Sequence, residues 1–147
     1  SFFNPLATSS SDARGLMQLL VPTAREVAGW EGLRPFDGND LFTPATNIRL
    51  GMRYLAYLQQ RFNATGYPTD VYPALMVGAY NGGPNAMARW ASSSAFLPNN
   101  PDAFIESIPY EQTRTYIKKV FTTMWRYQQL YPQNQTPLNT DAKGGGQ

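Results

Sequence analysis

A chain of 147 residues is long enough to bury one core, and at 42% apolar it has a globular rather than a disordered composition. It contains no His and no Cys, which excludes Ser-His-Asp and thiol catalysis, His- or thiolate-ligated metal sites and disulfides. Its net charge is +2, and of its twelve basic residues only Lys118 and Lys119 are adjacent, so there is no basic block for nucleic acid.

Helical periodicity recurs along the chain and strand signals are nearly absent, which predicts an all-α fold around one buried helix. Residues 1–11 are a Pro- and Ser-rich lead-in. Asp12 is placed to cap a short helix reaching Leu20. Pro22 suits a first helical turn, so a second helix is expected over 22–29, followed by a Gly- and Pro-marked loop over 29–42. Thr43-Pro44 starts the next helix, with Ile48, Met52, Leu55, Leu58 and Phe62 as its inner stripe. Residues 71–80, VYPALMVGAY, are almost wholly apolar and predict the central helix. Pro84 restarts a helix to Ala91, a Ser- and Asn-rich loop follows, and Asn100-Pro101 begins a short helix through Ser107. The last long helix is expected over 110–131, with Tyr116, Val120, Met124 and Tyr127 inward, helped by Ile117, Phe121 and Trp125. Residues 132–147, rich in Pro, Asn, Gln and Gly, are expected to be a disordered tail. The domain is therefore assigned to residues 1–131.

No glycine-rich phosphate-binding pattern occurs, and no run of about 18 apolar residues could span a membrane. No metal or cofactor is expected. Carboxylates, phenols, lysines, hydroxyls and amides remain as chemical groups, and acid–base chemistry on glycosidic bonds is the commonest reaction they serve. Low charge (15%) with high aromatic content (14%) suits a neutral polar ligand such as a carbohydrate.

Four stretches carry a sharper signal in order: SFFNPLATSSSDARGLMQLLVPTAREVA, FTPATNIRLGMRYLAYLQQRF, GAYNGGPNAMARW and FIESIPYEQTRTYIKKV. Together, over residues 1–131, they resemble the catalytic domain of the soluble lytic transglycosylases, a lysozyme-like family that acts on bacterial peptidoglycan. The resemblance implies a lysozyme-like (goose-type lysozyme/lytic transglycosylase) helical domain. It also implies non-hydrolytic cleavage between N-acetylmuramic acid and N-acetylglucosamine, giving a 1,6-anhydro end. A single glutamic acid first protonates the glycosidic oxygen, then takes a proton from the sugar's own 6-hydroxyl. The implied partner is the peptidoglycan glycan strand and the implied location is the bacterial periplasm or cell envelope. The alternatives are a catalytically inactive glycan-binding module and a hydrolytic lysozyme on the same scaffold.

That glutamate directly precedes the serine matching Ser1, so the acid and the helix bearing it are expected ahead of the first residue. The chain opens without Met and in mid-motif, as the interior of a longer protein would, with flanking segments expected. Isolated, it is expected to be inactive.

The resemblance assigns supporting roles residue by residue. Ser9 lies near the acid; its alternative is a turn or cap serine. Gln18 lines the groove and binds polar sugar groups, the alternative being a buried amide satisfied by backbone. Met17 joins the groove or packs in the core, and Gly15 allows sugar or helix to approach the backbone closely. Val21-Pro22 departs from the family's usual Pro-Ser order, and Leu20 stands where Met is frequent. Tyr80 reaches the acid or the cleaved sugar, while Asn81 with Gly82-Gly83 serves the substrate or only ends the helix. Glu106 contacts substrate or pairs with an arginine such as Arg114. Tyr116 lines the groove or packs inward.

Overall fold

The computed structural model describes residues 3–92 and 100–132. Six helices dominate it: α1 (Val21–Trp30), α2 (Pro44–Asn63), α3 (Tyr72–Gly82), α4 (Pro84–Ala91), α5 (Pro101–Ser107) and α6 (Glu111–Leu130). Proline occupies the first turn of α1 to α5, where its missing N–H costs no helical hydrogen bond. Asn100 caps α5 by accepting the N–H of Ala103 at 3.0 Å. Among the described residues no helix is long and apolar enough to cross a membrane.

The apolar α3 is central as expected: Ala74, Leu75, Gly78 and Ala79 are buried, and it packs against α2, α4 and α6. Around it lies one core, including Leu58, Phe62, Met87, Phe104, Ile108 and Ile117. A second core gathers Leu19, Ala24, Val27, Ala28, Leu41 and Leu50. Tyr54 and Tyr80 pack against both, so the seam between the cores is aromatic with phenol oxygens.

Three expectations are corrected. Residues 12–20 are not a helix. They form a two-stranded antiparallel ribbon, β1 (Ala13–Arg14) and β2 (Leu19–Leu20), closed by a turn. Asp12, Gly15 and Gln18 have φ of 59°, 73° and 49°, and a right-handed helix needs negative φ throughout. Asp12 caps nothing; it pairs with Arg14 at 2.8 Å.

The inner face of α2 runs through Asn47, Leu50, Gly51, Leu58 and Phe62, whereas Ile48 and Met52 are 44% and 57% exposed. Asn47 and Gly51 face inward for hydrogen bonding and close approach, which apolar periodicity does not register. On α6, Thr113 and Ile117 are buried and Phe121 half-buried, but every residue from 122 to 130 is exposed. Met124, Trp125 and Tyr127 therefore form no inner stripe. At about 1.5 Å rise per residue, the 20-residue α6 outruns the 11-residue α3 against which it packs.

The remaining boundaries fall close to expectation. Of the Ser/Asn loop, residues 93–99 lie outside the described residues. So do Ser1 and all of the expected tail beyond Pro132.

Candidate active site

The site is built on the ribbon. Ser9 Oγ accepts the backbone N–H groups of Ser11 (3.2 Å) and Ala13 (3.0 Å), which turns the chain into β1. At Gly15 a Cβ would lie 2.2 Å from both Asn47 Nδ2 and the Leu41 carbonyl. Glycine is therefore required for space as well as for its positive φ. The close neighbour is the α2 side chain rather than a ligand.

Asn47, fully buried, satisfies the turn. Its Oδ1 accepts Met17 N–H at 2.6 Å, and its Nδ2 donates to the carbonyls of Arg14 (2.9 Å) and Leu41 (2.8 Å). Tyr80, in the last turns of α3, donates its hydroxyl proton to the Met17 carbonyl at 2.9 Å. Helices α2 and α3 thus hold the two successive peptide groups that flank the Met17 Cα.

Between the ribbon, the end of α3, α4 and the start of α6 opens a cleft of about 630 Å³. Ser9, Gln18, Tyr80, Asn81 and Tyr116 all line it, so most of the residues singled out from the sequence meet there. Gln18 lines the cleft and is at the same time held by backbone. Its Nε2 donates to the carbonyls of Ala7 (3.2 Å) and Gly15 (2.9 Å), which fixes the amide and leaves its Oε1 as the polar atom for the cleft. Asn81 Oδ1 accepts the Thr113 hydroxyl at 3.0 Å, joining α3 to α6 at the cleft floor.

Tyr80 is mostly buried, and burial, reinforced by the neighbouring phenols of Tyr116 and Tyr54, pushes its ionisation far above the usual phenol range. Burial raises Tyr54 and Tyr116 as well. All three stay neutral at physiological pH. Since the Tyr80 proton is committed to Met17, its oxygen meets the cleft as an acceptor.

Two residues lie elsewhere. Met17 is half-buried beside the second core and does not line the cleft. A Cβ at Gly51 would come within 2.8 Å of its Cε and Cγ, so it occupies the hollow that Gly51 leaves in α2. Glu106 is outside the cleft, its side chain 63% exposed and paired with Lys118 at 2.5 Å. That hydrogen bond and charge hold its carboxyl below the ordinary range. Arg114, its expected partner, instead donates to the Ile108 carbonyl.

Sequence reasoning missed Tyr54, Arg89, Trp90 and Tyr110, all of which line the cleft. The Tyr54 ring sits 5.5 Å from that of Tyr80; its four-residue spacing from Leu50 and Leu58 marked the correct face of α2. Trp90 and Tyr110 pack their rings at 5.5 Å and form the far wall. Among the described residues no Asp or Glu lines the cleft.

This arrangement can hold a neutral polar chain between aromatic walls and fixed amides, and it can orient, though not supply, a carboxyl proton donor.

The chain matches the Transglycosylase SLT domain family over residues 1–102. It is 41% identical, over 88% of its length, to a Haemophilus influenzae protein assigned as a soluble lytic murein transglycosylase, and covers 21% of it. Its fold, all-α and lysozyme-like, is similar to the 70-kDa soluble lytic transglycosylase of Escherichia coli (TM-score 0.75, 31% identity, 88% of this chain and 20% of that one). It is equally similar to an inactive glutamate-to-glutamine mutant of the lytic transglycosylase Slt from Pseudomonas aeruginosa (TM-score 0.73, 33% identity, 92% and 20%). The chain spans about a fifth of the length of these proteins. With the family model matching residues 1–102 and a fold similar to those solved structures, this chain belongs to the transglycosylase SLT domain family.

Proposed function

We propose that this domain is the catalytic domain of a peptidoglycan lytic transglycosylase, cleaving between N-acetylmuramic acid and N-acetylglucosamine without hydrolysis and leaving a 1,6-anhydro end. The observation that carries the reading is the cleft of this family member, lined by hydroxyls, amides and aromatic rings with no described carboxylate. Its surface complements acetamido and hydroxyl groups. The one carboxyl the reaction needs comes from the segment ahead of Ser1, with its proton donor beside Ser9 and Tyr80.

In this reading the carboxyl group donates its proton to the glycosidic oxygen as the bond breaks. The resulting carboxylate takes the proton of the 6-hydroxyl while that oxygen closes on the anomeric carbon. Tyr80, its proton held by Met17, accepts a hydrogen bond from a sugar hydroxyl and holds the substrate in place. Gln18 and Asn81 position the sugars, and Tyr116 packs against them. For this role the acid has to stay protonated near neutral pH. The substrate places the protein in the bacterial cell envelope.

Digestion of purified murein tests this, with products identified by mass spectrometry. A chain extended at its N-terminus by its natural preceding segment is expected to release anhydro-muropeptides, and the 147-residue chain none. Reducing-end products would overturn the transglycosylase reading in favour of a hydrolase. Turnover by the 147 residues alone would overturn the placement of the acid. A second reading, a glycan-binding module without catalysis, is favoured by the position of Glu106 away from the cleft. It predicts murein binding without products from either form.

A further inference from the structure

A second hollow, of about 300 Å³, is lined by Arg25, Leu33, Arg34, Pro35 and Phe36 and shares no residue with the cleft. Thr23 faces α1 toward the cleft, and Arg25, two residues on, projects about 200° away around the helix. Arg34 reaches back over the Arg25 side of α1. A Cβ at Gly29 would lie 3.0 Å from Arg34 Nη2, and Gly29 follows Arg25 by four residues, the spacing of neighbours on one helix face. The missing side chain at Gly29 thus lets the Arg34 guanidinium settle one helical turn from Arg25.

Both arginines are exposed, and neither makes a hydrogen bond or ion pair among the described residues. The acids close to them in sequence are engaged elsewhere. Glu31 holds Arg49 and Arg53, Asp37 accepts the N–H of Asn39, and Asp40 accepts that of Asp37. The charge of Glu26 acts on Tyr54, on the cleft side. Among the described residues no Asp or Glu lines the hollow. Like charges one turn apart repel, and the rest of the wall, Leu33, Pro35 and Phe36, is apolar. A hydrated inorganic ion gains nothing from such a wall. A carboxylate on an apolar body fits both halves, with planar N–H forks for its oxygens and an apolar floor for the body.

We propose that this hollow is a second binding site, separate from the glycan cleft, for the free C-terminal carboxylate of a short peptide with small apolar end residues. Arg25 and Arg34 bracket the carboxylate and donate N–H groups to it, and the last side chain packs on Leu33 and Phe36. The volume, at the lower end of small-ligand sites, holds an end residue rather than a long segment. The site goes beyond the cleavage reading and does not depend on it. Arg34 also lies over the last turn of α1, where a cation favours the helix dipole. That role acts on stability and needs no ligand.

The test is an NMR titration of the 147-residue chain and its Arg25→Gln and Arg34→Gln variants, followed through backbone amides and arginine Nε–H signals. The probes are N-acetyl-alanyl-alanine in its L and D forms, the C-terminal amide of each, and acetate. Saturable shifts over residues 25–36 are expected with the free-acid dipeptide, while the amides of Gln18 and Asn81 stay unmoved. The amidated peptide should bind at least about 10-fold more weakly, because it offers the forks no charge, and acetate about 5-fold more weakly, because it lacks the apolar body. Each variant should weaken the free acid about 5-fold. Binding of either hand supports the site, and the preferred hand names the source: L a protein C-terminus, D a cell-wall peptide. Equal binding of acid and amide overturns the proposal, and equal binding of acetate reduces the arginines to a counterion patch and overturns it too. Unchanged affinity in both variants, with only a lowered Tm in Arg34→Gln, overturns it in favour of the helix-end role. Shifts centred on the cleft, or no saturable shift with any probe, overturn it while leaving the cleavage reading intact.

Discussion

The buried amide of Asn47 holds the backbone of Met17, accepting its N–H at 2.6 Å while donating to the carbonyls of Arg14 and Leu41. One side chain of α2 thereby fixes a turn thirty residues earlier. Asn47→Ala removes three hydrogen bonds, one of them buried and two part-buried. The expected cost is about 3 kcal/mol, or roughly 10 °C in Tm for a domain of this size. Thermal unfolding followed by circular dichroism checks it; an unchanged Tm would mean that the turn does not depend on this residue.

Gly15 abuts the same amide. Gly15→Ala combines a φ of 73° with a Cβ placed 2.2 Å from Asn47 Nδ2 and the Leu41 carbonyl. The expected loss exceeds about 2 kcal/mol. Amide shifts in an NMR spectrum should spread from the ribbon into α2. Shifts confined to residues 14–16 would show that the turn relaxes locally.

Tyr80→Phe removes the bond to Met17 and should cost about 1 kcal/mol at neutral pH. Its alkaline behaviour is more diagnostic. The Tyr80 phenol titrates in the unfolded chain at its ordinary value of 10.0, and burial raises that value in the folded protein. Stability is therefore full below pH 10 and falls as the pH climbs toward the folded value, because only the unfolded state releases the proton. Urea melts above pH 10 should show a shallower decline in the variant; identical slopes would place Tyr80 in contact with water.

Glu106→Gln tests the carboxylate that the family resemblance placed at the substrate. Exposed and paired with Lys118 among the described residues, it should change murein binding by less than about twofold. A larger loss of affinity, measured by calorimetry, would bring Glu106 into the bound state of the cleft.

Helix positions were legible because their signals are local. Proline in a first turn, Asn100 as a cap and the apolar run of α3 act within a few residues of where they are read. Residues 12–20 misled for the opposite reason. Their apolar spacing is helical, but the ribbon is held by Asn47 and Tyr80 from distant segments. The inner face of α2 was displaced by one polar and one glycine position, because burial there follows hydrogen bonding and backbone approach. On α6 the apolar pattern continues past Phe121, yet a pattern does not reveal where the neighbouring helices end.

Motif identity and order, carried by covalent neighbours, were enough for the sequence to determine the family and to single out Ser9, Gln18, Tyr80, Asn81 and Tyr116. Tertiary structure decided which of the named groups share a cleft. It turned Met17 toward Gly51 and Glu106 toward Lys118, committed the Tyr80 proton to a backbone carbonyl, and brought Arg89 to a wall otherwise neutral among the described residues. Those outcomes depend on distances between segments far apart in the chain, which only packing sets.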